Sequence, residues 1–177
     1  LFVDQVWQKF FQGKSRQAVL KRLQELESAR LIRREQAGQG LKIPALVRGT
    51  RFGLKQLSLD SPDMSPLRNR VDLSTLIHDS LVTEVRMRLS QFWDGRWISE
   101  TKLKRAELPR IPDGIWVFPS GKRIAIEVEN SIKSRTRFRE LLALWPKNSV
   151  FCVLYIATDT KIFHTLKNYL THRDNTV

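Results

Sequence analysis

A single cysteine, Cys152, stands in the 177 residues, so no disulfide can form within the chain and cysteine-rich zinc sites are excluded. Its neighbours in "VFCVLYIA" are apolar, which makes a small core residue the expectation rather than a nucleophile. The three histidines, His78, His164 and His172, make no metal-binding cluster by spacing. Only two tyrosines occur, Tyr155 in the same apolar run and Tyr169 near the end. No apolar run approaches the ~18 to 20 residues that a spanning helix needs, and no secretory signal pattern is present. The chain is expected to be soluble and cytoplasmic, with no membrane insertion.

Acidic side chains are also in deficit. Asp and Glu number 18 against 31 Lys and Arg, a formal charge of +13, which favours a polyanionic partner, nucleic acid by default. Residues 1–60 hold 12 basic and 5 acidic side chains and are the basic end. Hydrophobic residues at 41% and charged residues at 28% fit a globular protein rather than a disordered basic tail.

In "FVDQVWQKFF", Val3, Val6, Trp7, Phe10 and Phe11 fall at helical spacing before Gly13. A second helix follows, with Ser15 as N-cap and Val19, Leu20, Leu23 and Leu26 along one face. "LIRRE", the Gly-rich reversal "AGQG" and "LKIPALVRGTRFGLKQLSL" read as a hairpin with basic edges. Two helices and a basic hairpin make a winged helix-turn-helix over 1–60, whose core a further helix upstream would complete. Its DNA contacts would come from Arg16, Gln17, Lys21 and Arg22 at the start of the second helix, and from Arg33, Arg34, Arg48 and Arg51 on the wing. The plainer alternative is a helical pair with solvated charges.

"DSPDMSPLRNRVD" contains Pro62 and Pro66 and marks a linker over 61–71. From 72 to 177 the order is a helix, three strands, a helix, a strand and a helix. The first helix carries Leu76, Ile77, Leu81, Val85, Leu89 and Phe92 on one stripe and ends before Asp94 and Gly95. "RWISETKL" is a short strand. "IPDGIWVFP", with Ile115 and Val117 inward, and "RIAIEVEN" form a hairpin turning at "PSGK". "SRTRFRELLALW" is a helix stopped by Pro146, "SVFCVLYIA" a strand covered on both faces, and "TKIFHTLKNYLTHR" the closing helix.

Glu127 and Glu129 interrupt an apolar strand two positions apart, hence on one face. Asp113 opens the neighbouring strand, about 4.8 Å away in the pairing direction, so the three carboxylates can share Mg2+ or Mn2+. Lys133, at the start of the following helix, could reach back and steady a phosphate transition state. These are parts that metal-assisted phosphodiester cleavage needs.

"PDG" followed by "EVE" on an apolar strand resembles the PD-(D/E)xK superfamily, the restriction-endonuclease fold, whose core is an α-β-β-β-α-β order. The fold class implied is α+β, a winged helix-turn-helix followed by such a domain with a mixed sheet. Asp113 and Glu127 match the family pattern, whereas its lysine position holds Glu129 and the lysine role passes to Lys133. Glu84, in the helix before the sheet, matches a position from which members supply a further acid; the alternative is a solvated glutamate one turn from Arg88. His78 and Asp79 near the start of that helix are a cap and first-turn acid or point at phosphate.

With "HDSLVTE" and "EVENSIKS" added, the chain is similar to the replication-relaxation proteins and to plasmid mobilization relaxases of the MobC class. That resemblance implies nicking of one strand at a plasmid transfer origin with a divalent metal, on double-stranded DNA, alongside relaxosome or coupling proteins. Arg135, Arg137 and Arg139 then flank the strand's path, only some of them facing DNA. The alternatives are a catalytically silent nuclease fold acting as a DNA-binding accessory, and another nuclease of the same fold for restriction, repair or transposon-end cleavage. A transcription factor with a small-molecule sensor domain is a third, disfavoured by the absence of an apolar pocket signature.

Overall fold

The computed structural model describes residues 1–36, 45–56, 72 and 74–171, the side chains of 147 and 148 excepted. The reversal "AGQG", the linker at 61–71 and His172 lie outside the described residues. The chain divides into two units, Leu1–Glu84 and Val85–Val177.

In the first unit, α1 (Val3–Phe10) and α2 (Arg16–Ser28) precede an antiparallel pair, β1 (Ile32–Glu35) and β2 (Leu46–Gly49). Ser15 caps α2, its hydroxyl accepting the Ala18 N–H at 3.2 Å. Val3, Val6, Val19 and Leu23 form the core, with Trp7, Phe11, Ile32 and Val47 packed around it. Leu20, expected on the buried face, is 38% exposed. Val19 and Leu23, four residues apart, share the inner stripe, and Leu20 is turned about 100° from Val19. The Gln5 side chain donates to the Ser80 carbonyl at 3.0 Å, and Leu46 packs on Leu76, so the start of α4 (Leu76–Phe92) belongs to this unit.

Residues 51–56, expected within the hairpin, are instead helix α3 (Arg51–Gln56). The cause is Thr50, whose Oγ1 accepts the Gly53 N–H at 2.9 Å and caps a new helix where the strand ends. Gly53 is required there, since a Cβ would lie 2.2 Å from the Leu31 carbonyl oxygen.

The second unit is built on a four-stranded sheet ordered β3-β4-β5-β6: β3 (Arg96–Ser99), β4 (Gly114–Val117), β5 (Arg123–Glu129) and β6 (Cys152–Ala157). The first three strands pair antiparallel and β6 runs parallel to β5, so the sheet is mixed and the class is α+β. The parallel crossover is supplied by α6 (Arg135–Leu142). Its Ser134 N-cap accepts the Arg137 N–H, and Phe138 and Leu141 face inward. Pro146 falls in a 3-10 turn, Trp145–Asn148, after the helix has already ended. Helix α7 (Thr160–Thr171) closes the described chain with Ile162 buried.

Four further expectations change. "RWISETKL" is strand only to Ser99, after which α5 (Glu100–Leu103) forms a single turn. Both Ile115 and Trp116 are buried, so β4 is covered on both faces. Cys152 is exposed and no residue of β6 is fully buried, because β6 is the last strand in the order and its apolar side chains are only half covered. Ile77 and Phe92 on α4 are 66% and 80% exposed. Among the described residues no helix is long and apolar enough to cross a membrane.

Two glycines shape the approach to β4. Gly95, at φ +135°, turns the chain from α4 into β3, and a Cβ there would meet the Val117 carbonyl oxygen at 2.3 Å. At Gly114, a Cβ would fall 1.9 Å from the Trp97 ring, which itself packs edge-on against Trp116 at 6.4 Å. The glycine of "PDG" is therefore demanded by packing. Gly114→Ala is expected to destabilise the protein by about 1–3 kcal/mol through displacement of that ring, read as a lower urea midpoint at unchanged slope.

Candidate functional site

Asp113 immediately precedes β4, whose Gly114 pairs with Ile126, so Asp113 falls at the level of Glu127 on β5. One Asp113 oxygen, Oδ2, accepts the Val128 N–H at 2.7 Å, which fixes the carboxylate against the strand. Glu127 and Glu129 are 5% and 3% exposed, beside Tyr155 and Ala157 of the parallel strand. Isolated ionised carboxylates in such a position are costly, so counter-charges are needed.

Arg110 supplies one. Its Nε and Nη2 donate to the two oxygens of Glu127 at 3.2 and 2.9 Å, a two-pronged pair with the Arg110 side chain only 19% exposed. The guanidinium also lies 5.6 Å from the Trp145 ring centroid. That indole donates to the Tyr155 hydroxyl at 2.7 Å, so its plane is fixed. Lys133 supplies the other counter-charge, donating to Glu129 Oε2. Lys133 lies in the connection before α6, one residue ahead of the Ser134 cap, rather than in the helix. Its carbonyl accepts the Tyr169 hydroxyl at 3.3 Å. The second oxygen of Glu129, Oε1, is buried and has no hydrogen-bond partner.

Burial pushes the Glu127 carboxyl up to about 7, against the pull of Arg110 and with the charges of Asp113 and Glu129 adding to the rise. Burial likewise raises the Tyr155 hydroxyl to about 12.

As donors, these oxygens have the chemistry that suits Mg2+ or Mn2+, and the unbonded Glu129 oxygen is an acceptor awaiting a partner. As arranged, each carboxylate is engaged by an amide or a protein cation. Among the described residues no three histidine, cysteine, aspartate or glutamate side chains are grouped to hold an ion. Glu84 stands half-buried on α4 at the end of the first unit.

The expected DNA-facing residues divide by their partners. Arg16, on the exposed start of α2, lies 3.6 Å from Asp4, and Arg22 pairs with Glu25 at 2.9 Å. Arg34 is clamped on Glu27, whose two oxygens accept its backbone N–H and its Nε at 2.8 Å each. That backbone bond, then the guanidinium, holds the Glu27 carboxyl below its usual range and ties α2 to β1. Arg33 and Arg48 both converge on Glu35. Gln17, Lys21 and Arg51 are exposed. Arg137 pairs with Glu140 at 2.9 Å, and Arg135 is half-buried.

Arg110 was not among the residues expected at the site. The signal was indirect: two acids on one strand face require two counter-charges, and the spacing assigns only Lys133. Comparisons with protein-family models, with curated proteins and with solved structures found no match.

Proposed function

We propose that this chain is a DNA-binding protein whose second unit is a metal-dependent endonuclease, resembling in its sequence pattern a plasmid mobilization relaxase that nicks one strand at a transfer origin. The observation that carries this reading is the row of Asp113, Glu127 and Glu129 at adjoining positions of β4 and β5, two of them buried and one with an unbonded oxygen. Burying such a row is costly, and a carboxyl raised as that of Glu127 is raised belongs with groups that concentrate at functional sites. The order α4, β3, β4, β5, α6, β6, with the single turn α5 between β3 and β4, and the mixed sheet are compatible with a restriction-endonuclease-like domain. In the first unit, two helices followed by an antiparallel pair are compatible with a winged helix-turn-helix.

Asp113, Glu127 and Glu129 would hold Mg2+ or Mn2+, which when bound supplies a Lewis acid and an activated water. Lys133, already directed at Glu129, would steady the phosphate. Exposed Gln17, Lys21 and Arg51, with the start of α2, would hold the duplex. Such binding depends on phosphates and weakens by about 10³ or more between ~50 and ~200 mM salt for six or more contacts. Relaxosome or coupling proteins would be further partners.

A second reading is a silent nuclease fold serving as a DNA-binding accessory. It is favoured by the engagement of Glu127 by Arg110 and of Glu129 by Lys133. The experiment is incubation of supercoiled plasmid DNA with the chain and Mn2+, beside EDTA and Asp113→Asn controls. Open-circular product lost in both controls is expected. Linear product would replace a relaxase with a double-strand nuclease. Retained DNA binding without any cleavage would leave the accessory reading.

A further inference from the structure

We propose that Arg110 is a displaceable counter-ion, holding Glu127 in the absence of metal and competing with a divalent cation for it. This inference rests on the metal-site reading above and concerns how that site is controlled.

Both oxygens of Glu127 are taken by the Arg110 fork, at 3.2 and 2.9 Å. A cation drawn to this carboxylate must compete with the guanidinium for its charge and its lone pairs. The other members of the row are differently placed. Asp113 meets a backbone N–H through one oxygen, a neutral contact. Glu129 meets Lys133 through one oxygen and keeps Oε1 buried and unbonded, so it retains acceptor capacity. That buried, unbonded oxygen can accept a further donor or a cation. At Glu127 the competitor is Arg110.

The position of Arg110 suits a side chain that moves. It is delivered by the connection between α5 and β4, in residues assigned to neither helix nor strand. Trp145 lies within cation–π distance, at 5.6 Å, and its ring is fixed through Tyr155. The guanidinium can release the carboxylate and keep the indole face, which lowers the cost of displacement. In place, it prevents the row from standing as uncompensated buried charge.

The test is calorimetric titration of Mn2+ into the whole chain and into Arg110→Gln and Arg110→Lys, at about pH 8, with thermal melts to confirm folding. Arg110→Gln removes the competing charge, and its Mn2+ affinity is expected to rise about tenfold or more. Arg110→Lys keeps a charge but loses the fork and should fall between the two. If Arg110→Gln does not fold, a gain in Arg110→Lys carries the proposal and equal affinity overturns it. Unchanged or weaker binding by the folded glutamine variant, with a wild type that binds, overturns the counter-ion and leaves the metal reading standing. Absence of Mn2+ binding by all the folded chains overturns both.

Discussion

Phe138→Ala is expected to cost about 3–5 kcal/mol of stability, enough to remove much of the margin of an ordinary domain. Phe138 is 1% exposed and is the largest fully buried side chain among the described residues. Its ring packs against Tyr155 of β6 at 5.2 Å and Tyr169 of α7 at 5.7 Å, so a single side chain of α6 ties the crossover to the strand and helix that follow it. The cavity left by alanine is lined by two tyrosines whose hydroxyls are already engaged, with Trp145 and with the Lys133 carbonyl. Neither ring can collapse inward without losing a hydrogen bond, which places the cost towards the upper part of the range. Urea denaturation followed by circular dichroism measures it. Thr136→Ala, exposed on the same helix, is the control and should stay within about 0.5 kcal/mol. A loss below about 1 kcal/mol for Phe138→Ala would mean that β6 and α7 are not held through this ring.

The same contacts show what could be read from the residues. Ser15 announces a helix start because a hydroxyl ahead of the first turn is a local signal, and it caps as expected, while Ser134, read as part of its helix, caps in the same way. From α4 to α7 the longer helices and the strands were legible in order because alternating and helical periods are also local, whereas the single turn α5 was read as part of a strand. Helix α3 was not: "TRFGLKQ" was read with the strand before it, and the Thr50 cap on Gly53 marks the start of the helix. Cys152 was misjudged because an apolar run does not say whether its strand lies inside a sheet or at its edge. At the candidate site the acids and Lys133 were legible from spacing, whereas Arg110 lies in a connection without periodicity. Its meeting with Glu127, seventeen positions on, is a product of the tertiary fold.

A second large effect concerns Glu127 and pH, in protein stripped of divalent cations. The carboxyl lies at about 7 in the folded protein against 4.5 as its ordinary value, chiefly through burial. Between those values the folded state binds the extra proton, so stability falls as pH rises. The contribution is fully present below pH 4.5 and lost as pH passes through 7, and its size is about 3 kcal/mol. Glu127→Gln keeps the shape and does not titrate. Its hydrogen bonding to Arg110 is altered, but by an amount that does not depend on pH over this range. The stability difference, variant minus wild type, is therefore expected to climb by about 3 kcal/mol between about pH 4 and about pH 8. Urea midpoints of the two chains across that range supply the measurement. A flat difference would show that the Arg110 fork offsets burial completely and leaves Glu127 titrating as it does in the unfolded chain. A rising one would show that burial outweighs the guanidinium, so that above pH 7 the site holds excess negative charge and gains most from a cation with two charges to offer in place of one.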